Sequence, residues 1–319
     1  MELAQVKTLY RAILDEVAKV VVGQAELVEG VVLALFSEGS VLIEGPPGLG
    51  KTLLVNVLAR TVSCTFRRVQ FTPDLMPTDL TGHSVYDMNE RKFHFTPGPV
   101  FTNLLLADEI NRAPPKTQSS LLEAMQERQV TVDGKTYLLR RPFLVLATQN
   151  PLEHEGTYPL PEAQVDRFMF KLLVDYPPVE QEAEILRHYA EGRDPRQLAG
   201  FDVRPVLTLA DAAEVQQAVL GVIVEKKVTD YIAAVVTATR EWPTLMYGAS
   251  PRGSVNLLLA SRTMAACRGR DFVTPSDVKE VAPWVLRHRL RVRSESEIEG
   301  VSSDHVITQV LESVPVPRA

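Results

Sequence analysis

Two glycines and a Lys-Thr pair near the start of the 319-residue chain have the spacing of a phosphate-binding loop. Four residues separate Gly45 from Gly50, and Lys51 and Thr52 follow directly. In such a loop, backbone N–H groups surround the phosphates, the lysine reaches the β and γ phosphates, and the hydroxyl binds Mg²⁺. A predicted buried strand (residues 41–43) and a predicted helix flank the loop, which disfavours the alternative of a ligand-free glycine turn. The predicted ATP contacts are Gly45, Pro46, Pro47, Gly48, Leu49, Gly50, Lys51, Thr52 and Leu53.

An acidic pair, Asp108 and Glu109, follows the apolar run of residues 103–107. Carboxylates at the end of a buried strand are costly unless they have a partner, and a metal ion is one. We therefore predict that Asp108 and Thr52 hold Mg²⁺, and that Glu109 orients or deprotonates the attacking water. The alternative is an acidic helix cap after a strand.

Asn150 ends a further predicted strand, residues 143–147. A polar side chain at the carboxyl end of a strand beside the P-loop strand could reach the γ-phosphate. The alternative is that Asn150-Pro151 is only a turn. Gln70, near the end of the predicted strand at residues 67–71, is a weaker candidate for coupling this site to ligand binding.

The elements that must position these groups alternate between strand and helix. Strand patterns at residues 41–43, 67–71, 103–107, 143–147 and 168–174 predict a parallel sheet covered by helices. Two hairpins interrupt the alternation, a strong one at residues 130–138 around Asp133-Gly134 and a weaker one at residues 85–95.

The pattern changes after Pro177-Pro178. The rest of the chain is predicted to be helical, with helix starts at Thr229-Asp230, Ser250-Pro251 and Thr274-Pro275. We predict two domains, an α/β nucleotide-binding domain (residues 1–177) and a helical domain (residues 178–319).

Composition narrows the class of protein. A net charge of −6 gives no general attraction to nucleic acid or anionic membranes, and two cysteines are too few for a disulfide framework. No signal peptide is evident, and no apolar stretch approaches the roughly 18 residues of a membrane span. We expect a cytoplasmic protein that meets membranes only through a partner. The six histidines show no metal-ligand spacing.

Taken together, the motifs resemble the AAA+ ATPases and, more narrowly, the MoxR family. The segments that carry the resemblance are residues 21–24, 45–52, 107–118, 121–125, 147–151, 160–168 and 250–252. The resemblance implies a P-loop AAA+ core with a parallel five-stranded sheet flanked by helices, inserted β-hairpins, and a C-terminal all-α lid.

The resemblance also implies roles that spacing alone does not assign. Asn150 is the implied sensor of the γ-phosphate, Arg167 the arginine finger that reaches the neighbouring subunit's nucleotide, and Arg252 a second sensor for the nucleotide of its own subunit. Residues implied near the adenine are Val22, Gly23 and Gln24. From the residues alone, Arg167 could instead be a surface arginine paired with Asp166, and Arg252 a cation near a helix cap.

As a function, the resemblance implies a ring, expected to be a hexamer, that remodels or matures partner proteins by Mg²⁺-dependent ATP hydrolysis. Partners with a von Willebrand factor A domain are implied, and in some cases insertion of a metal or cofactor. The alternative is a nucleic-acid-stimulated AAA+ motor, favoured by the hairpins and by the basic run at residues 287–293. We interpret that run as a solvated face or a subunit contact, and the acidic net charge disfavours nucleic acid.

Overall fold

A five-stranded parallel sheet forms the centre of the computed structural model, which describes residues 1–151, 156–195 and 197–317. The strand order is β2-β5-β8-β1-β9, so the P-loop strand β1 lies between β8 and the edge strand β9. The bounds are β1 Val41–Glu44, β2 Phe66–Gln70, β5 Leu104–Asp108, β8 Leu144–Gln149 and β9 Phe170–Leu173. The five predicted strands are confirmed. The three central strands are buried on both faces, as their uninterrupted apolar runs require.

Two hairpins project from this sheet domain, and both were predicted. They pair β3 (Gly82–Asp87) with β4 (Lys92–Pro97) and β6 (Gln129–Val132) with β7 (Lys135–Leu138). At the tip of the second hairpin, Asp133 and Gly134 both have positive φ, as an Asp-Gly primed turn requires. The rings of Phe95 and Tyr137 stack with centroids 4.0 Å apart, which joins the two hairpins.

Helices cover the sheet and form the C-terminal part. Their bounds are α1 Leu3–Ala18, α2 Ala25–Phe36, α3 Lys51–Thr61, α4 Pro77–Thr81, α5 Pro115–Glu127, α6 Glu162–Val165, α7 Val179–Ala190, α8 Leu209–Leu220, α9 Lys226–Arg240, α10 Pro251–Cys267, α11 Pro275–Leu286, α12 Ser294–Ile298 and α13 Ser303–Ser313. Short 3₁₀ turns span Ile110–Arg112 and Leu198–Phe201. Within the described ranges, no helix has both the length and the apolar character needed to span a membrane.

The C-terminal part is a helical lid with one short antiparallel ladder, β10 (Leu245–Tyr247) with β11 (Arg291–Val292). Helix starts predicted from Ser250-Pro251 and Thr274-Pro275 are confirmed, since Ser250 and Thr274 are the N-caps of α10 and α11. The start predicted at Thr229-Asp230 is wrong. Helix α9 begins one turn earlier, where an i,i+4 ion pair between Lys226 Nζ and Asp230 Oδ2 at 2.7 Å supports the first turn.

The lid packs tightly against the sheet domain. One buried apolar cluster runs without interruption from α1 and α2 into α10 and α11. At its centre the Trp284 ring meets Phe170 of β9 edge-on, with centroids 5.9 Å apart, and its indole N–H donates to Glu26 on α2. Because the core is continuous, the division into residues 1–177 and 178–319 stays a prediction.

Candidate nucleotide site

The loop between β1 and α3 has the conformation that a phosphate-binding loop requires. At Gly45 a Cβ atom would lie 2.2 Å from the carbonyl oxygen of Val174, so only glycine fits. Gly50 has a φ of 72° and is the N-cap of α3, so the first N–H groups of that helix face the loop. The geometry is that of an anion site at a helix N-terminus.

Lys51 is the first residue of α3, and its Nζ donates to the carbonyl oxygen of Gly45 at 2.7 Å. Partial burial lowers the pKa of the Lys51 ammonium, while the nearby carboxylates of Asp108, Glu44 and Glu109 act in the opposite direction. An ammonium in this setting gains a partner when a phosphate enters the loop.

The acidic pair lies at the carboxyl end of β5. Strand β8 lies between β5 and the P-loop strand β1. Thr148 of β8 joins the pair, because its hydroxyl donates to Asp108 Oδ1 at 2.5 Å and accepts from the Glu109 N–H at 2.8 Å. Glu109 itself adopts left-handed backbone angles (φ 55°, ψ 52°), a conformation that costs a non-glycine residue about 1–2 kcal/mol. Glu109 adopts these backbone angles where it lines the same cavity as the loop.

Further side chains hold the two carboxylates in place. Glu109 Oε2 accepts from Gln70 Nε2 at 2.8 Å and from Arg112 Nη1 at 3.0 Å. Asp108 Oδ2 accepts from the guanidinium of Arg68 at 2.6 and 3.1 Å. The guanidinium of Arg68 therefore contacts Asp108 at the position where a metal ion is expected to bind. Carboxylate and hydroxyl oxygens are the ligands that Mg²⁺ prefers, so Asp108 and Thr52 fit that ion.

One cavity of about 280 Å³ brings these groups together. The predicted site residues that line it are Gly45, Pro47, Gly48, Leu49, Gly50, Lys51, Thr52, Asp108, Glu109 and Asn150. Pro46, also predicted, is half-buried beside the loop. Sequence reasoning missed Arg68, which shares the wall, because a charged residue in an edge strand has the pattern of an ordinary solvent-facing position.

A second, mainly apolar cavity of about 280 Å³ shares Gly48, Leu49 and Gly50 with the first. Val22, Gln24 and Leu53, predicted to contact the nucleotide, line it. Gly23 is absent from that lining and packs against the side chain of Gln181 on α7, which a Cβ atom at Gly23 would overlap.

Helix α7 supplies a wall of this apolar cavity that sequence reasoning missed. Ile185, His188 and Tyr189 line it, and their i, i+3, i+4 spacing on one helix face was the available signal. Gln24 Oε1 and His188 Nδ1 are buried with no hydrogen-bond partner in the described part of the chain. Apolar walls with a few unpaired polar atoms suit the base of a nucleotide.

Arg167 and Arg252 lie elsewhere. Both are exposed and line a third cavity, of about 370 Å³, between the sheet domain and the lid. Arg252, in the first turn of α10, is 3.6 Å from Asp166 Oδ2 through its Nη1. The structure thus places these two predicted cations together and apart from the P-loop cavity of their own chain.

The basic run at residues 287–293 is partly interior, so its interpretation as a solvated face is wrong for its first half. The Arg289 side chain is only 1% exposed and that of Arg287 only 9%. Arg287, His288 and Arg289 contact backbone carbonyl oxygens of residues 168–171, at the edge of the sheet. The run packs there because those carbonyl groups need donors.

One of the six histidines, His94, is an exposed residue that lies beside two carboxylates. On the exposed first hairpin, the ligand atoms of Asp87, Glu90 and His94 lie within 4.8 Å of one another. The hairpin's turn brings them together, and sequence spacing did not show it. His154, another of the six, lies outside the described residues.

A glycine-rich loop after an inner strand of a parallel sheet, with an acidic pair at the end of β5 two strands away, defines a P-loop nucleoside triphosphatase. Comparison with known families agrees with this class of protein. Residues 40–170 match the ATPase family associated with various cellular activities (AAA), and residues 237–310 match the AAA lid domain.

Similar proteins narrow the class. The chain is 48% identical to the Chaperone MoxR1 of Mycobacterium tuberculosis over 99% of this chain and 84% of that protein. It is 33% identical to the Protein MoxR of Methylorubrum extorquens over 95% of this chain and 93% of that one. The crystal structure of a candidate ATPase from Cytophaga hutchinsonii superposes with a TM-score of 0.91 at 42% identity, covering 99% and 97% of the two chains. The chain therefore belongs to the MoxR family of AAA+ ATPases, which confirms the family and the fold that the motifs indicated.

Proposed function

We propose that this protein is a Mg²⁺-dependent ATPase that works as a ring and uses hydrolysis to remodel or mature partner proteins. One observation carries the proposal: Lys51, Thr52, Asp108, Glu109 and Asn150 line a single cavity beside an apolar one of the size of a base. A cytoplasmic location is part of the same proposal.

Hydrolysis needs groups that bind the phosphates and a base for water. The N–H groups of the loop and Lys51 bind the β and γ phosphates, and Mg²⁺ held by Thr52 and Asp108 supplies positive charge to them. Glu109 accepts the proton of the attacking water, once it is released from Gln70 and Arg112. Asn150 orients the γ-phosphate from the neighbouring strand end.

The position of Arg167 supports the proposed ring. Its exposed guanidinium lies away from the P-loop cavity of its own chain and beside Arg252, so both cations are available to a neighbour's nucleotide. We propose that both act there, which for Arg252 replaces the own-subunit contact expected from the motif. A heterologous contact forms a ring when its rotation closes, and we propose that it does so here with six subunits.

We propose clients that carry a von Willebrand factor A domain, with metal or cofactor insertion as one outcome of the remodelling. The nucleic-acid alternative loses one of its two supports, because the side chains of Arg287 and Arg289 of the basic run are buried within the protein.

Glu109→Gln tests the hydrolytic part and provides a trap for clients. We expect ATP turnover to fall about 10²–10⁴-fold while ATP binding persists. Glu123→Gln, at an exposed position of α5, is the matched control and should behave as wild type. Turnover by Glu109→Gln at the wild-type rate contradicts the assigned role.

The same variant, loaded with ATP, serves as bait for client capture with purified A-domain proteins. Stable retention that requires ATP supports the proposed partners. Stimulation of wild-type turnover by DNA or RNA, weakening steeply with salt, instead supports the nucleic-acid motor.

A further inference from the structure

A buried cation of the lid holds the segment that carries Arg167. Arg289 follows α11, and its Nε donates to Asp166 Oδ1 at 2.7 Å. Its Nη2 donates to the carbonyl oxygens of Asp166 at 2.9 Å and Phe168 at 2.6 Å. The guanidinium therefore binds the backbone on both sides of Arg167.

Burying the Arg289 guanidinium costs free energy, so the group must find compensating partners in the folded protein. Burial lowers the pKa of Arg289 to about 10, with the Asp166 carboxylate opposing the change, so the group stays charged at neutral pH. A buried charge persists only where several partners compensate it. Here every such partner lies on residues 166–169 or on α11 itself. The lid thus helps to hold that segment, together with the segment's own backbone hydrogen bonds to α6 and Ser40.

The carboxylate of Asp166 extends this contact to the other exposed cation. Its Oδ2 accepts from the Ser250 hydroxyl at 3.1 Å and lies 3.6 Å from Arg252 Nη1. Asp166 therefore joins Arg289 to the first turn of α10. The positions of Arg167 and Arg252 on the third cavity depend on one buried junction.

We propose that Arg289 is a positioning residue for Arg167, and that its contribution to ATP hydrolysis is made in the neighbouring subunit. The proposal rests on the trans role of Arg167 proposed above. Arg289 touches no nucleotide; it orients the backbone from which the finger projects. A displacement of about 1 Å in a catalytic group can cost on the order of a hundredfold in rate.

Arg289→Met tests the proposal through subunit mixing. Alone, the variant should lose about ten- to hundredfold in kcat with an unchanged KM for ATP, because its own P-loop cavity is intact. Mixed with an equal amount of Glu109→Gln, it should recover, since the Glu109→Gln neighbour donates a correctly held Arg167. Random mixing gives about one quarter of the wild-type rate, because half of the subunits can hydrolyse ATP and half of those have a competent neighbour.

A parallel mixture of Arg167→Ala with Glu109→Gln tests the trans role of Arg167 separately from the positioning role of Arg289. Recovery of ATP hydrolysis in both mixtures supports both roles. Recovery with Arg167→Ala but not with Arg289→Met overturns the positioning role and leaves the finger. No recovery with Arg167→Ala overturns the trans finger itself.

Further variants cover misfolding and charge. If Arg289→Met does not fold, Asp166→Asn breaks the same junction from the other side, and its mixture must recover in the same way for the proposal to stand. Arg289→Lys keeps the charge but loses the planar fork, so its kcat should fall between those of wild type and Arg289→Met. Arg291→Met, at an exposed position of β11, is the matched control and should match wild type.

Discussion

The P-loop cavity and the third cavity, which holds Arg167 and Arg252, carry the two halves of the proposed chemistry but are built differently. Residues of the P-loop cavity come from adjoining strand ends of one sheet, and Thr148, Gln70 and Arg68 hold its carboxylates by direct hydrogen bonds. The cations of the third cavity come from a loop before β9 and from the first turn of a lid helix. Their shared support is the single carboxylate of Asp166.

The difference separates binding from turnover. A cavity whose groups are already positioned within one chain can bind ATP before any partner subunit arrives. Exposed cations on another surface add nothing to that binding but can stabilise charge in a neighbour's transition state. Variants in the two cavities should therefore differ in which kinetic quantity they change.

The largest expected effect on ATP binding is that of Lys51→Ala. The substitution removes the cation that the loop itself places at the β and γ phosphates, so ATP affinity should fall on the order of a hundredfold or more. Titration calorimetry with ATP and Mg²⁺ measures it, with Lys116→Ala at an exposed position of α5 as the control. Affinity at the wild-type level would remove Lys51 from the site.

Arg167→Ala should have the opposite profile. We expect ATP affinity to be unchanged and kcat to fall about a thousandfold, the range found for arginine fingers. Nucleotide binding and steady-state turnover, measured on the same preparation, check it, with exposed Arg140→Ala as the control. If affinity and kcat fell together, the two cavities would not be separable in the way the structure indicates.

Arg68→Ala should have a smaller effect, on the metal. The guanidinium of Arg68 donates two hydrogen bonds to Asp108. This ion pair is weak because the Arg68 side chain is 46% exposed, and Mg²⁺ must displace it to bind Asp108. Removing the competitor should lower the half-saturating Mg²⁺ concentration about two- to fivefold. A rise in that concentration would show instead that Arg68 assists the metal or the phosphates.

The smallest expected effect is on the free energy of unfolding, through His288, the residue before Arg289. Burial lowers the pKa of His288 well below 6.5, and the charge of Arg289 acts in the same direction, while the hydrogen bond to the Phe168 carbonyl opposes it. Below pH 6.5 the unfolded chain therefore binds a proton that the folded chain excludes, so the free energy of unfolding falls as pH falls.

Denaturant unfolding of wild type and His288→Gln between about pH 7 and pH 5 measures this difference. His288 contributes at most about 1.4 kcal/mol per pH unit, so the wild-type curve should be the steeper one. Parallel curves would mean that folding leaves the pKa of His288 unchanged.

Much of the nucleotide site was predictable because its motifs are local. The loop must turn around phosphates within eight residues, so its glycines, Lys51 and Thr52 lie next to one another in the chain. Asp108 and Asn150 were recognisable because they end apolar runs, and parallel strands bring such ends to one edge of a sheet. His188 and Arg68 were missed, since each looks like an ordinary residue of a helix or edge strand until the neighbouring element is placed.

The sequence by itself thus determined the chemistry of the phosphate cavity, its sheet and the family, because short-range spacing encodes a loop and strand ends. Only the tertiary structure decided which side of the molecule receives Arg167 and Arg252, and that Arg289 is buried between them and the core. Arg289 and Asp166 are 123 residues apart, and their contact depends on how the lid packs against the edge strand β9. Packing between distant segments leaves no periodic signal in either one.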